Sequence, residues 1–252
     1  MRHPSLIAAV AAVKRLCIIL VCVTAALLAG ATASSAATTE LLSNGSFESG
    51  FSGWTTTQPA APFFPWTVVS AGDAAPFSAP SPQDGTFDAL NGFDGSAGAY
   101  TISQQVSISA ASTATLTWKD RLQWFMFDGL ARSVEVRIVD AAGAVLATPY
   151  AFSTGPGELT RHDTGWRDHT VDLSAFAGQT VRIEFHYTIP GDHTGPGQAE
   201  LDAVSLTATA NLPTRAAQCK NGGWRPYGVF KSQGDCVSFV VTGGSKPPHG
   251  GS

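Results

Sequence analysis

The stretch Ser43–Trp54, SNGSFESGFSGW, and the late segment Glu200–Leu206, ELDAVSL, decide the fold that we predict for this chain. Turn dipeptides flank Glu48 in the first stretch. The second alternates as a β-strand does, and Asp202 shares its register with the core-facing Leu206. A carboxylate that faces a core is costly unless it is paired or bound to a metal. We therefore predict one calcium ion between Glu48 and Asp202, which would join the first strand to the last.

The residues after position 98 alternate as a series of β-strands separated by turn clusters. The clearest alternation, over 181–187, places apolar side chains on one face and polar side chains on the other. No segment of helical period and useful length follows the N-terminal region. The predicted fold is therefore all-β, a jelly-roll β-sandwich. The strands are expected at Trp66–Ser70, Tyr100–Ser109, Ala114–Trp124, Ser133–Asp140, Val145–Phe152, Gly165–Leu173, Thr180–Ile189 and Glu200–Ala208.

The N-terminal region has the order of a secretory signal peptide. Three basic residues precede the apolar run Leu16–Leu28, and small residues follow it. A membrane anchor is the alternative, but the run is shorter than the roughly 20 residues that a span needs. We predict a signal peptide over 1–37 and a secreted, extracellular protein with no membrane span, either free or associated with the cell wall.

Charge divides the chain into two parts. Residues 38–211 contain 18 Asp and Glu against 7 Lys and Arg, a net charge of −11. Residues 212–252 contain 5 basic residues and 1 acidic residue, a net charge of +4. The acidic part repels phosphate backbones and argues against nucleic acid as a partner, whereas calcium and neutral ligands are compatible with it. The basic part is either a solvated end or a contact for an acidic wall polymer.

Four cysteines are present, and two of them leave with the signal peptide. Cys219 and Cys236 remain, and in an oxidising compartment a disulfide between them is the default. The residues from Cys236 onward resemble a strand, so we predict a small β-hairpin module that the disulfide stabilises. The predicted organisation is a sandwich at 38–210, a linker at 211–217, the module at 218–244 and a flexible tail at 245–252.

Seven motifs occur in the order seen in a known group of domains. They are NGSFESGFSGW (44–54), DGTFDALNG (84–92), TISQQVSI (101–108), ATLTWKDR (114–121), VEVRIVDAAGAVL (134–146), GWRDHTVDLSAFAGQTVRIEF (165–185) and AELDAVSL (199–206). Together they resemble the galactose-binding-like jelly rolls, which include carbohydrate-binding modules of families 4, 9 and 22. The resemblance covers residues 40–209 and implies carbohydrate binding by analogy of fold. Residues 218–244 resemble a short C-terminal module of secreted actinobacterial proteins.

The resemblance also implies a set of calcium ligands. It assigns them to Glu48, to Asp202, to carbonyls of 44–46 and to the loop that begins at Asp84. Mixed carboxylate and carbonyl oxygens are what a hard cation prefers. In the alternative, Glu48 and Asp202 contact basic side chains or backbone donors instead.

Two tryptophans are candidates for stacking on a sugar ring, which needs an exposed aromatic face. Trp66 lies in a proline-rich approach and Trp124 ends a predicted strand, whereas Trp54, Trp118 and Trp166 are expected in the core. The neighbours of Trp124 that could bind sugar hydroxyls are Asp120, Arg121 and Gln123. The alternative is that the cluster at 124–127 packs over the open edge of the sandwich.

Motifs of catalysis are weak in this sequence. It contains neither a G-x-S-x-G elbow nor an H-E-x-x-H helix. Asp88 and Asp94 could form a carboxylate pair for glycoside hydrolysis, but acids in a glycine-rich loop more often form turns. We predict a monomeric, non-catalytic protein that binds polysaccharide and holds one structural calcium. The alternatives are an extracellular structural or adhesion protein that contacts the cell wall or another protein, and then a glycoside hydrolase or polysaccharide lyase.

Overall fold

The computed structural model describes residues 38–60, 62, 64–92, 95–127 and 129–244. The predicted signal peptide at 1–37, the predicted tail at 245–252 and the candidate acid Asp94 lie outside these residues. Across the described chain, no helix has the length and apolar character needed to cross a membrane.

Two antiparallel sheets form a β-sandwich, as predicted. The seven-stranded sheet has the order β10-β6-β12-β4-β3, with β1 beside β12 and β9 beside β6. The five-stranded sheet has the order β2-β5-β11-β7-β8. The strands are β1 (Thr38–Glu40), β2 (Thr55–Thr57), β3 (Thr67–Ser70), β4 (Phe87–Asn91), β5 (Gly98–Ser107), β6 (Ser112–Trp124), β7 (Ser133–Val139), β8 (Val145–Ser153), β9 (His162–Asp163), β10 (Arg167–Asp172), β11 (Thr180–Ile189) and β12 (Gly197–Ala210).

Strand β11 forms the centre of the five-stranded sheet because its residues alternate strictly. Val181, Ile183, Phe185 and Tyr187 are buried against the other sheet, and the residues between them face outward. β11 pairs with β5 along its whole length and with β7 along most of it. Since successive side chains of a strand point to opposite faces, one face of this sheet is apolar and the other polar.

Strand β12 forms the centre of the seven-stranded sheet and contains a β-bulge. Its pairing with β6 shifts between Asp202 and Ser205, and Ala203 adopts a left-handed φ of 52°. The bulge turns Asp202 to the outer face of the sheet, while Leu206 still faces the core. The core-facing position predicted for Asp202 is therefore wrong, because alternation alone cannot locate an inserted residue.

The C-terminal segment forms a small unit with its own core, and the predicted disulfide joins Cys219 to Cys236. The predicted hairpin is wrong, because Gln233–Val241 is an α-helix, α1. Ser232 caps this helix by accepting a hydrogen bond from the Asp235 backbone N–H. Cys236 and Phe239, three residues apart, lie on the buried side of the helix.

Candidate functional site

Glu48 and Asp202, the predicted calcium ligands, both bind the loop that begins at Gln83. Glu48 Oε1 accepts hydrogen bonds from the backbone N–H groups of Thr86, at 2.6 Å, and Phe87, at 2.8 Å. Asp202 Oδ2 accepts them from Gln83, at 2.6 Å, and Asp84, at 2.8 Å. The two carboxylates therefore hold the same loop, residues 83–87, and Asp84 contributes its backbone N–H to it.

These contacts do not fit a calcium ion held by Glu48, Asp202 and Asp84. Two amide hydrogens occupy Asp202 Oδ2, a third reaches Oδ1 from Ala203 at 2.6 Å, and two occupy Glu48 Oε1. Amide groups that aim their hydrogens at a carboxylate bring partial positive charge, which a cation would meet as repulsion. In the part of the chain that the structure describes, no group of three His, Cys, Asp or Glu residues could hold a metal ion.

Arg121 and Gln123, predicted to bind sugar, instead form a polar layer beneath a loop. Arg121 binds Asp163 with two hydrogen bonds of 3.0 and 2.6 Å, and its guanidinium holds the pKa of Asp163 down to about 2. Gln123 donates to the same carboxylate and accepts from the Ser78 hydroxyl at 2.7 Å. Both side chains are therefore engaged with Asp163 on the outer face of the seven-stranded sheet, and Gln123 also binds the loop at Ser78.

Asp120 faces the interior rather than the solvent. It lies in β6 in the same register as the buried Leu122, and it accepts a hydrogen bond from Arg167 Nε at 2.9 Å. His169 Nε2 lies 3.0 Å from the same oxygen. Asp120 therefore serves as an internal partner for β10, and a sugar on the surface would not reach it.

Trp66 and Trp124 are each only 6 % exposed, so neither ring offers a face to a sugar. Trp124 stacks on His162 with ring centres 5.0 Å apart and donates its indole N–H to Glu158. Trp66 packs on Tyr187 at 5.1 Å. The prediction of an exposed stacking platform at these residues is wrong, because both rings pack into the core of the sandwich.

Asp88 and Glu200 form a buried acid pair on the outer side of the seven-stranded sheet. Glu200 accepts from Gln198 Nε2 at 2.7 Å and from the Ser81 backbone N–H at 3.3 Å. Neither carboxyl oxygen of Asp88 meets a donor among the described residues. Burial, and then the charge of Glu200, raises the pKa of Asp88 to about 8. The burial and the neighbouring acid therefore favour the protonated form of Asp88 near neutral pH.

A polar groove of about 530 Å³ crosses the outer face of the five-stranded sheet. Strands β2 and β5 contribute hydroxyl and amide side chains, and β11 contributes Arg182 and Glu184. Arg182 lies beside Glu184 at 3.5 Å, and Glu184 also contacts His186 at 3.1 Å. The groove is lined by Gly53, Thr55, Thr57, Thr101, Ser103, Gln104, Gln105, Arg182 and Glu184.

The sequence carried one signal for this groove, the polar half of the alternation in β11. Arg182, Glu184 and His186 are the residues between its buried positions. The contribution of β2 had no such signal, because Thr55–Thr57 is a three-residue strand in a segment without alternation. The pairing of Thr55 with Ser103 and of Thr57 with Thr101 completes the groove.

The sequence matches no known family model, and no curated protein matches it. Several solved structures resemble the fold. A family 61 carbohydrate-binding module in complex with β-1,4-galactotriose is 16% identical, with 67% of this chain and 97% of that chain covered and a TM-score of 0.43. The K3 adhesin domain of Lys-gingipain from Porphyromonas gingivalis is 14% identical, with 69% and 99% covered and a TM-score of 0.44.

A Stig cyclase from Fischerella is also similar. It is 16% identical, the match covers 69% of this chain and 99% of that chain, and the TM-score is 0.43. Modules of families 4 and 22, two of the families named from the sequence motifs, are among the matched structures as well. A binding module, an adhesin domain and an enzyme thus share this resemblance. Likenesses this distant do not identify a ligand for this chain.

Proposed function

We propose that this chain is a secreted, non-catalytic carbohydrate-binding protein whose ligand lies in the groove on the outer face of the five-stranded sheet. The observation that carries the proposal is the groove itself, about 530 Å³ and lined almost wholly by hydroxyl, amide and charged side chains. Its volume lies within the range of roughly 300–1,000 Å³ that is usual for small-ligand sites. The Cys219–Cys236 disulfide supports export to an oxidising compartment.

The groove presents groups that suit sugar hydroxyls. A sugar hydroxyl both donates and accepts hydrogen bonds, as do the threonine and serine hydroxyls and the amide of Gln105. The described lining contains no aromatic ring, so stacking would contribute nothing to the binding energy. We therefore expect weak binding, with a dissociation constant of about 1 mM for a short oligosaccharide.

Charge favours a neutral glycan over an acidic one. Arg182 and Glu184 offset each other within the groove, while residues 38–211 carry a net charge of −11, from 18 acidic and 7 basic residues. An acidic surface repels polyanions over distances of about 10 Å at moderate salt. Binding of a neutral polysaccharide should depend little on ionic strength.

The positions of the carboxyl groups relative to the groove support the proposal that the protein has no glycosidase activity. Glycoside hydrolysis ordinarily uses two carboxyl groups, about 5–9.5 Å apart, on either side of the bond. Among the described lining residues of the groove, Glu184 is the one acid. The Asp88 and Glu200 pair lies on the other sheet and is buried, so a substrate would not reach it.

A second function, contact with another protein, is favoured by one observation. Three large apolar side chains are exposed on the loops that follow β6 and β8, Phe127 at 61 %, Leu130 at 46 % and Leu159 at 65 %. The backbone of Met126 binds that of Glu158, which joins the loops that carry Phe127 and Leu159. Exposed apolar groups that lie together commonly mark protein contacts.

The first prediction concerns affinity electrophoresis in gels that contain soluble xylan, galactan or β-glucan. The full mature chain should be retarded by at least one of them. The double variant R182A/Q105A should bind at least about 10-fold more weakly, because two sets of hydrogen bonds to the sugar are lost. Failure of retardation by every neutral polysaccharide tested would remove the proposed function.

Two sets of control variants separate the groove from the rest of the surface. Lys119 pairs with Asp168 on the seven-stranded sheet, so K119A should bind as the wild type does. W66F and W124F, at the buried rings, should also leave retardation unchanged as long as the protein stays folded. A loss of binding in W124F with wild-type retardation in R182A/Q105A would place the ligand at the sequence-predicted position instead.

A further inference from the structure

Three carboxylates join the beginning of the sandwich to its last strand. Glu40 Oε1 accepts from the backbone N–H of Leu206 at 2.8 Å, and the Ser205 hydroxyl donates to Glu40 Oε2. Glu48 and Asp202 both hold the loop 83–87, as described above. Backbone amides thus link the segment 40–48 to β12, directly at Glu40 and through the loop 83–87 at Glu48 and Asp202.

We propose that these amides, and not a divalent cation, hold Glu48 and Asp202 in place, so that the fold is independent of calcium. Asp202 is fully buried, so its charge has to be compensated there, whereas Glu48 lies at the exposed edge of the same loop. Asp202 receives three backbone N–H groups and Glu48 receives two. Hydrogen bonds to an ionised carboxylate are about twice as strong as those between neutral groups.

The backbone conformation of the loop 83–87 points these amides at the two acids. Gly85 has a left-handed φ of +83°, between Asp84, which donates to Asp202, and Thr86, which donates to Glu48. A Cβ at position 85 would collide with the Glu48 carboxyl group. The loop therefore reverses direction at Gly85 and points consecutive N–H groups at two different acids.

The resulting arrangement differs chemically from an oxygen-lined calcium site. Calcium takes six to eight oxygen ligands, with backbone carbonyls turned toward the ion. Here the loop turns its N–H groups toward the carboxylates. A cation in this position would have to compete with the N–H groups that already bind both oxygens of Asp202 and Oε1 of Glu48.

The test is thermal unfolding of the full mature chain in excess EDTA and in millimolar calcium chloride. We expect the same Tm in both, within about 1 °C. A calcium ion present at ~100-fold its dissociation constant would raise the Tm by roughly 5–10 °C in a protein of this size. A rise of that size would overturn the proposal.

Two variants test the amides themselves. E48Q keeps one acceptor oxygen and loses only the charge, so we expect its Tm to fall by roughly 2 °C. D202N places an amide donor against one of two oxygens that already accept N–H groups in a fully buried position, so we expect its Tm to fall by roughly 5 °C or more. D168N, whose carboxylate is 81 % exposed, is the matched control and should melt as the wild type does. If D202N does not fold, E48Q and the wild-type calcium series still decide the matter. A Tm of E48Q equal to that of the control would contradict the proposal.

Discussion

Replacing Asp88 by Asn is expected to leave stability at about pH 4 little changed and to raise it above about pH 8, by at most about 6 kcal/mol. An asparagine at this position keeps the shape of a protonated aspartic acid and can donate an N–H to Glu200. It does not acquire a negative charge as the pH rises. The buried repulsion among Asp88, Glu200 and Asp202 would therefore be reduced.

The direction of this pH dependence follows from the pKa of Asp88 in the folded and the unfolded protein. Burial, and then the charges of Glu200, Asp202 and Asp73, raises this pKa from 3.8 to about 8 in the folded protein. The folded state thus keeps a proton that the unfolded state releases, and the wild-type protein loses stability as the pH rises between those values. Above about pH 8 both states have released it, and the loss is complete.

Urea unfolding between about pH 4 and pH 9 measures this effect. The difference between D88N and the wild type should grow with pH and level off near pH 8. D172N is a suitable control, because hydrogen bonds from Ser174 lower the pKa of the exposed Asp172 and so act in the opposite direction. Parallel pH profiles for D88N and the wild type would show that Asp88 is ionised in the folded state.

The second large effect is expected from removal of the disulfide. C219S/C236S should unfold the C-terminal unit while the sandwich stays folded. The two buried cysteines are 17 residues apart, and closing a loop of that size contributes about 3 kcal/mol. The remaining core of this unit centres on Phe230 and Phe239, which is too small to hold it without the cross-link.

Limited proteolysis with mass spectrometry measures where the chain opens. New cleavage sites should appear between residues 219 and 241 in C219S/C236S, with the sandwich intact and polysaccharide retardation unchanged. A serine variant that stays resistant to protease, with the same Tm as the wild type, would show that packing alone holds the unit together. Loss of the sandwich in the same variant would show that the two cores unfold together.

The strands that could be predicted from the sequence are those whose alternation is complete. β11 alternates over ten residues and lies in the sheet as predicted. β4, Phe87–Asn91, gave no such pattern, because its outward face is covered and both of its faces are buried. A strand buried on both sides has no alternation of polar and apolar residues, so no strand was predicted at these positions.

The C-terminal helix and the position of Asp202 could not be predicted for a different reason. The segment Cys236–Val241 contains three valines and a phenylalanine, which favour a strand, yet the Ser232 cap and the disulfide fix a helix there. The bulge at Ala203 places an alanine at positive φ, a conformation that glycine or asparagine would signal but alanine does not. In both places tertiary contacts override the local pattern.

The predicted sugar residues illustrate a limit of a single sequence. Trp66 and Trp124 lie near strand ends, as expected, but both rings pack into the core, and the partners that bury them come from distant parts of the chain. Glu158 and His162 cover Trp124 from a segment about 35 residues away. The groove that we propose instead is formed by β2, β5 and β11, and only the polar face of β11 was evident from the sequence.

The most direct measurement is an NMR titration of the labelled mature chain with a soluble oligosaccharide of the polysaccharide that retards it. We predict that amide shifts change mainly at the groove residues of β2, β5 and β11, including Thr55, Gln105 and Arg182. Changes centred on the loops of Phe127 and Leu159, or none at saturating oligosaccharide, would contradict binding on the outer face of the five-stranded sheet.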